Sequence, residues 1–327
     1  MAKNDPIERA LDRLGELRHA EPTTAVSEEL RGFLRNRSNL VVAKAATIVR
    51  ELGIVDLTPE LVSSFNKFMG DAPRLDKRCA AVTAIASALY EMDYDEPEPY
   101  LAGIKHVQLE ASFGPPVDEA AKLRAVSAQG LLRTRYADAM PEVLELLVDR
   151  EPAARVGGIR ALAVNGGEAG ILLLRLKGLA GDTEPAVLAE CFSGLLAASP
   201  DKSVAFVARY IDASDEGTAE AAMLALGESR LPAAFQILRE KWNITALLPE
   251  KKILLVSMAA SKLDEAIAFL VSLVESASAP IAAAALEALS IYRHNERVSK
   301  SVRSAVLGRR EKAVVEAYQA SFETELA

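Results

Sequence analysis

The sequence predicts an all-α protein, a solenoid of about nine stacked antiparallel helix pairs, and three observations lead to that class. Proline recurs with a period. Pro152, Pro185, Pro249 and Pro280 fall at one phase of a repeat of 31 to 33 residues, with Gly217 in the slot between Pro185 and Pro249. A second phase runs Pro200, Pro232, Asp264 and Glu296, each 32 residues after the last. Proline lacks an N–H, so it is tolerated in the first turn of a helix and breaks a helix elsewhere; these positions therefore mark helix starts, two per period. Between them, segments such as Ala154 to Leu162 and Val187 to Leu195 carry apolar residues at helical spacing.

In chain order, first helices are expected near residues 4, 39, 73, 117, 152, 184, 215, 249 and 280, each followed by its partner. Residues 1–92 form the less regular start, where a helix from Asn39 to Gly53 precedes Thr58-Pro59-Glu60, the cap and first turn of the next, and the spacing loosens to about 40 residues. Residues 93–116 read as an irregular acidic and proline-rich insertion, with Pro97, Pro99, Pro115 and Pro116 around a short helix from Tyr100 to Glu110. Residues 117–308 hold the regular repeats. There Asp149-Arg150-Glu151-Pro152 and Asp182-Thr183-Glu184-Pro185 recur at a distance of 33, placing acids where free N–H groups and the helix dipole favour them. Gly166 to Gly170 follows a helix rather than a strand and lacks the Lys-Ser/Thr ending of a phosphate loop, so it reads as an inter-helix turn. Residues 309–327 supply a capping helix, because a stack of repeats needs a polar outer face at its end. The whole chain, 1–327, is expected to form one solenoid.

Composition narrows the function classes. Half of the 327 residues are hydrophobic and 26% are charged, enough to bury a core and cover it. No window of about 18 consecutive apolar residues occurs, which excludes a helical membrane span, and the first residues carry no apolar stretch of signal-peptide length, so a cytoplasmic location is expected. Cys79 and Cys191 stand 112 positions apart in Ala-rich apolar segments and are expected to be buried thiols used as small hydrophobes.

With its proline phases, acidic-proline helix entrances and Ala-rich first helices, the chain resembles the HEAT repeat family, in particular the short units of the phycobilisome-lyase type, most clearly over residues 117–308. Upstream it is similar to helical repeats generally. The resemblance implies a HEAT/armadillo-like superhelix whose second helices line a concave face. The HEAT-like deoxyhypusine hydroxylases bind iron through repeated His-Glu dipeptides; His19, His106 and His294 lie in different repeats and none precedes a glutamate, so that activity is not carried over. No motif supports transferring lyase activity either, and an accessory role to a lyase or modification enzyme stands as an alternative by fold type alone.

The chemistry-bearing patterns are few. His106 and Glu110, four apart on the expected helix, read as a surface pair, since a metal site needs three or four ligands. Glu91, Asp93, Asp95, Glu96 and Glu98 form an acidic run, and Arg293 to Lys312 holds seven basic residues against two acidic ones. A ladder is expected on the second helices: Lys177, Arg209 and Lys241 are successive 32-residue equivalents, Tyr210 and Trp242 follow one place later, and Arg175, Arg239 and Arg303 share another phase. Such a ladder is either a binding ridge, since arginine and aromatics anchor interfaces, or a set of cations complementing helix C-termini. No catalytic residue, metal ligand or cofactor is expected. The expected function is a non-enzymatic scaffold that binds a protein partner on its concave surface, the partner presenting acidic residues to the ladder. A nucleic-acid-binding HEAT-like protein stands as the other alternative, disfavoured by the net charge of −8 and the single tryptophan.

Overall fold

The computed structural model describes residues 6–323, and the chain divides into two compact units, one up to Leu173 and one from Leu174 on. The first unit runs α1 (Pro6–Leu17), α2 (Thr24–Leu34), α3 (Asn39–Leu52), α4 (Thr58–Met69), the single turn α5 (Ala72–Leu75), α6 (Ala80–Glu91) and α7 (Glu98–Ile104). It continues through a two-stranded antiparallel ribbon, β1 (Leu109–Glu110) and β2 (Val117–Asp118), to α8 (Ala121–Arg133), α9 (Ala139–Leu146), α10 (Pro152–Asn165) and the start of α11 (Gly167–Ala180). The second unit holds the rest of α11, then α12 (Pro185–Ala198), α13 (Pro200–Ala208), α14 (Glu216–Glu228), α15 (Pro232–Ile244), α16 (Leu248–Ala260), α17 (Asp264–Ser276), α18 (Ala279–Leu289), α19 (Glu296–Val306) and α20 (Lys312–Tyr318). The architecture is an all-α repeat of helix pairs.

Both proline phases coincide with helix starts. Pro200, Pro232, Asp264 and Glu296 open α13, α15, α17 and α19, while Pro152, Pro185, Pro249 and Pro280 lie at the first or second position of α10, α12, α16 and α18. The turn inside a pair also repeats. Gly53, Asp93, Arg135, Gly167, Arg230 and Lys262 each adopt a left-handed φ between 55 and 63° just after a first helix, reversing the chain into the second.

In each unit the first helices form the tighter layer. Here α1, α3, α6, α8 and α10 pack each on the next, as do α12, α14, α16, α18 and then α20. Alanine and glycine make this possible: a Cβ added at Gly157 in α10 would fall 2.2 Å from Ala125 Cβ of α8, so the two backbones nearly touch. Leu123, Leu131, Ile159 and Leu162 in the first unit, and Phe192, Leu195, Leu226, Leu254 and Leu286 in the second, fill the space beneath. Successive second helices touch far less.

Three boundaries also differ from the expectation. The third first helix begins at Ala80 rather than near 73, because the buried Asp76 carboxylate accepts the N–H groups of Ala81 and Val82 at 2.9 Å each and so sets its start. The fourth begins at Ala121 rather than 117, since Val117 and Asp118 pair with Leu109 and Glu110. The short helix expected over 100–110 ends at Ile104.

Consequently His106 and Glu110 do not share a helix. His106 Nε2 lies 3.2 Å from Gln108 Oε1, and Glu110 Oε1 accepts Arg78 N–H at 2.6 Å and Gln108 Nε2 at 2.7 Å. Gln108 is itself buried and donates to Asp76 O, tying the ribbon to the start of α6. Beside it, Arg124 is ion-paired to Asp118 and Asp149 at 2.8 Å each and donates to His106 O, closing the loop before α8.

Candidate binding surface

All eight residues of the expected ladder lie in the second unit: Arg175 and Lys177 on α11, Arg209 and Tyr210 just after α13, Arg239, Lys241 and Trp242 on α15, and Arg303 on α19. The structure separates them into two kinds. Lys177 is buried against Asp182, 2.7 Å away, and Lys241 reaches Asp212 at 2.8 Å and Glu250 at 2.6 Å with its side chain only 12% exposed. Burial alone would lower the Lys241 pKa, but hydrogen bonds to the two carboxylates outweigh it and raise it. Trp242 is also buried, edge-on to Phe269 at 6.0 Å, with Lys251 Nζ 4.7 Å from its ring centre. These three belong to the packing of the repeat, the lysines joining helix ends and turns through ion pairs.

The arginines behave differently. Arg175 and Arg209 stack on one ring, Phe206, with their guanidinium carbons 4.9 and 4.6 Å from its centre. Arg175 also donates to Lys202 O, which fixes its plane. Tyr210 completes the cluster, its ring 5.6 Å from Phe206 and 4.8 Å from Phe192, and its hydroxyl donates to Gly178 O at 3.0 Å. Burial raises the Tyr210 pKa above its ordinary range although Arg209 opposes it, so the hydroxyl stays a donor. Gly178 lets the ring sit close to α11: a Cβ there would stand 3.2 Å from the Phe206 ring, tighter than ordinary contact.

The arrangement recurs once. Arg239 lies over Phe269 at 5.3 Å and within 3.3 Å of Glu265. Arg303 stands apart, its Nε 3.4 Å from Tyr318 Oη. Beside the first cluster, α11 leaves Leu176 and Leu179 exposed at 59% and 63%.

Phe206, Phe269 and the two leucines were not singled out by sequence reasoning. A signal exists: Phe206 follows Arg175 by 31 residues and Phe269 follows Arg239 by 30, one repeat onward in each case. The basic segment 293–312 is also used in packing, because Arg309 donates to the carbonyls of Val274, Glu275 and Ala277 and closes the end of α17.

Among the described residues, no group of three or more His, Cys, Asp or Glu side chains is placed to hold a metal ion, and no helix is long and apolar enough to cross a membrane. No protein-family model matches the chain, and no curated protein matches it. Among solved structures, the chain is similar to the complex of CpcE and CpcF of phycocyanin lyase from Nostoc sp., with 13% identity, 75% of this chain and 92% of that chain covered, and a TM-score of 0.35. It is similar to human deoxyhypusine hydroxylase in complex with glycerol at 15% identity, covering 79% of this chain and 91% of that one, with a TM-score of 0.31. An engineered protein is similar at 16% identity over 98% of this chain and 96% of its own, with a TM-score of 0.35.

Proposed function

We propose that the protein is a HEAT-like repeat scaffold without catalytic activity, which holds a partner protein on the second-helix surface of its second unit. The observation that carries this reading is the pair of arginines stacked on Phe206 beside the exposed Leu176 and Leu179. Stacking orders each guanidinium in advance while its edge can still donate to a carboxylate, and arginine next to an aromatic ring is the usual composition of an interface anchor. The leucines offer the apolar contact that a charged patch alone lacks. The matching partner is a helix with an apolar stripe flanked by acidic residues. Lys177 and Lys241 take no part, since each is already neutralised within the chain.

The test places a photo-crosslinking residue at Leu176, at Leu179 and, as a control, at Glu220 on α14, in cells of the source organism. One adduct shared by the two leucine positions, absent at Glu220 and lost when Arg175→Glu and Arg209→Glu are added, is the expected outcome. Adducts that are equal at all three positions, or unaffected by the charge reversals, refute the reading.

A further inference from the structure

At the far ends of α14, α16 and α18, the second unit has a cleft of about 760 Å³ lined by Arg230, Lys262, His294, Tyr292, Ile291 and Glu228. Its three basic side chains are themselves a ladder: Lys262 follows Arg230 by 32 residues and His294 follows Lys262 by 32. All three are exposed, and neither Arg230 nor Lys262 makes an ion pair among the described residues.

The two cations, Arg230 and Lys262, sit where the backbone favours another residue. Arg230 and Lys262 each have φ of 57°, the left-handed conformation that Gly53 and Gly167 adopt at the corresponding turns. The neighbouring groups are held in place. Tyr292 donates its hydroxyl to Ala259 O, Asn295 Oδ1 accepts Val298 N–H at 3.2 Å and so leaves its amide N–H groups to donate, and Arg293 Nε donates to His294 Nε2 at 3.1 Å. His294 thereby keeps Nδ1–H as its donor.

We propose that this cleft is a binding site for an acidic, extended segment of a partner protein. Stacked helices stand ~8–10 Å apart, so the two cations Arg230 and Lys262 and the repeat-equivalent N–H donor of His294 form a row rather than a point. An extended chain in the polyproline II conformation advances about 3.1 Å per residue with three residues per turn, so carboxylates at every third position fall on one side and match that row, whereas one small anion cannot span it. Ile291, 61% exposed, offers an apolar contact for a side chain between the acids. The proposal rests on the scaffold reading only in taking the ligand to be a protein; it concerns a different surface, and its test is independent of the crosslinking experiment.

The probe is a fluorescein-labelled peptide with glutamate at every third position, titrated by fluorescence anisotropy against the full chain, with a glutamine version and inorganic pyrophosphate as comparisons. The decisive variant is Arg230→Gly with Lys262→Gly, because glycine suits the left-handed turns and the variant is expected to melt no lower than wild type. Its affinity for the glutamate peptide is expected to fall more than tenfold, while Glu228→Gln tightens binding about threefold by removing the opposing charge. A charge-matched Lys300→Ala with Arg310→Ala variant is expected to bind as wild type does. Absence of binding to the glutamate peptide, equal binding of the glutamine peptide, an unchanged double-glycine variant, or displacement by equimolar pyrophosphate would each overturn the proposal.

Discussion

The close approach of first helices can be tested at Gly227. A Cβ there would stand 2.0 Å from Ser257 O, 2.7 Å from Ser257 C and 2.9 Å from Ser257 Cα, where ordinary contact begins at 3.4 Å. All three atoms are backbone of α16, so no side-chain rotation relieves the clash and the two helices must separate by more than an ångström. That separation unpacks Leu226, Leu254 and Met258, each fully or almost fully buried. Overpacking of this kind costs ~1–3 kcal/mol, and the dispersion attraction forfeited along the opened seam adds to it. Against it, alanine gains about 1 kcal/mol over glycine in a helix interior. The net expectation for Gly227→Ala is a loss of ~2 kcal/mol. Urea denaturation followed by the fluorescence of Trp242, the single tryptophan and itself on the adjacent α15, reads it directly. Gly32→Ala is the control: it lies inside α2 with nothing within 4 Å of the new Cβ, so circular dichroism should show a gain of about 1 kcal/mol. A neutral or stabilising Gly227→Ala would refute the account of how the first helices pack.

Four further outcomes are expected. Arg124→Ala leaves the mostly buried carboxylates of Asp118 and Asp149 without their shared cation and should destabilise the first unit by ~3–5 kcal/mol in urea denaturation. The Asp118 carboxyl sits below its usual range, because the N–H groups of Gln108 and Ala120 together with Arg124 outweigh burial, which alone would raise it. A depressed carboxylate contributes stability above its unfolded value near ~4 and loses it as pH falls through the folded value, so Asp118→Asn should flatten the stability profile below about pH 4; an unchanged profile counts against the ion-pair account. Burial pushes both thiols up to about 12, with the Asp76 and Glu110 carboxylates adding to it at Cys79 and Lys177 opposing it at Cys191, so iodoacetamide at mild alkaline pH should label neither until the chain is unfolded. Tyr210→Phe removes the donor to Gly178 O and should cost about 1 kcal/mol by Trp242-monitored denaturation, while an unchanged midpoint would show that the carbonyl is served by water.

The elements that were legible in the sequence are those governed by local chemistry. Pro200 and Pro232 open helices because a missing N–H costs nothing in the first turn, and that holds whatever lies nearby. The boundaries that shifted are those governed at a distance. Asp76 caps α6 from a loop that Gln108 reaches from 32 residues away, and β2 delays α8 by pairing with a strand beyond a proline-rich turn. Neither partner is marked by periodicity.

The candidate surface divides along the same line. Spacing alone aligned Arg175, Lys177, Arg209, Tyr210, Arg239, Lys241, Trp242 and Arg303 along the second helices, because a 32-residue period brings equivalent positions to equivalent places. Spacing carries no information about what lies opposite each side chain. Folding set Asp182 against Lys177, placed Asp212 and Glu250 around Lys241, and brought Arg175 and Arg209 onto the one ring of Phe206. The sequence by itself determined that helices pair and repeat, since turn chemistry and helical periodicity act over a few residues. Which cations are neutralised, which stand ready at a surface, and which helix layer packs more tightly were decided only when the chain folded, because burial and charge pairing depend on where turns and neighbouring repeats place their partners, as with Asp212 on Lys241 and Phe206 under Arg175.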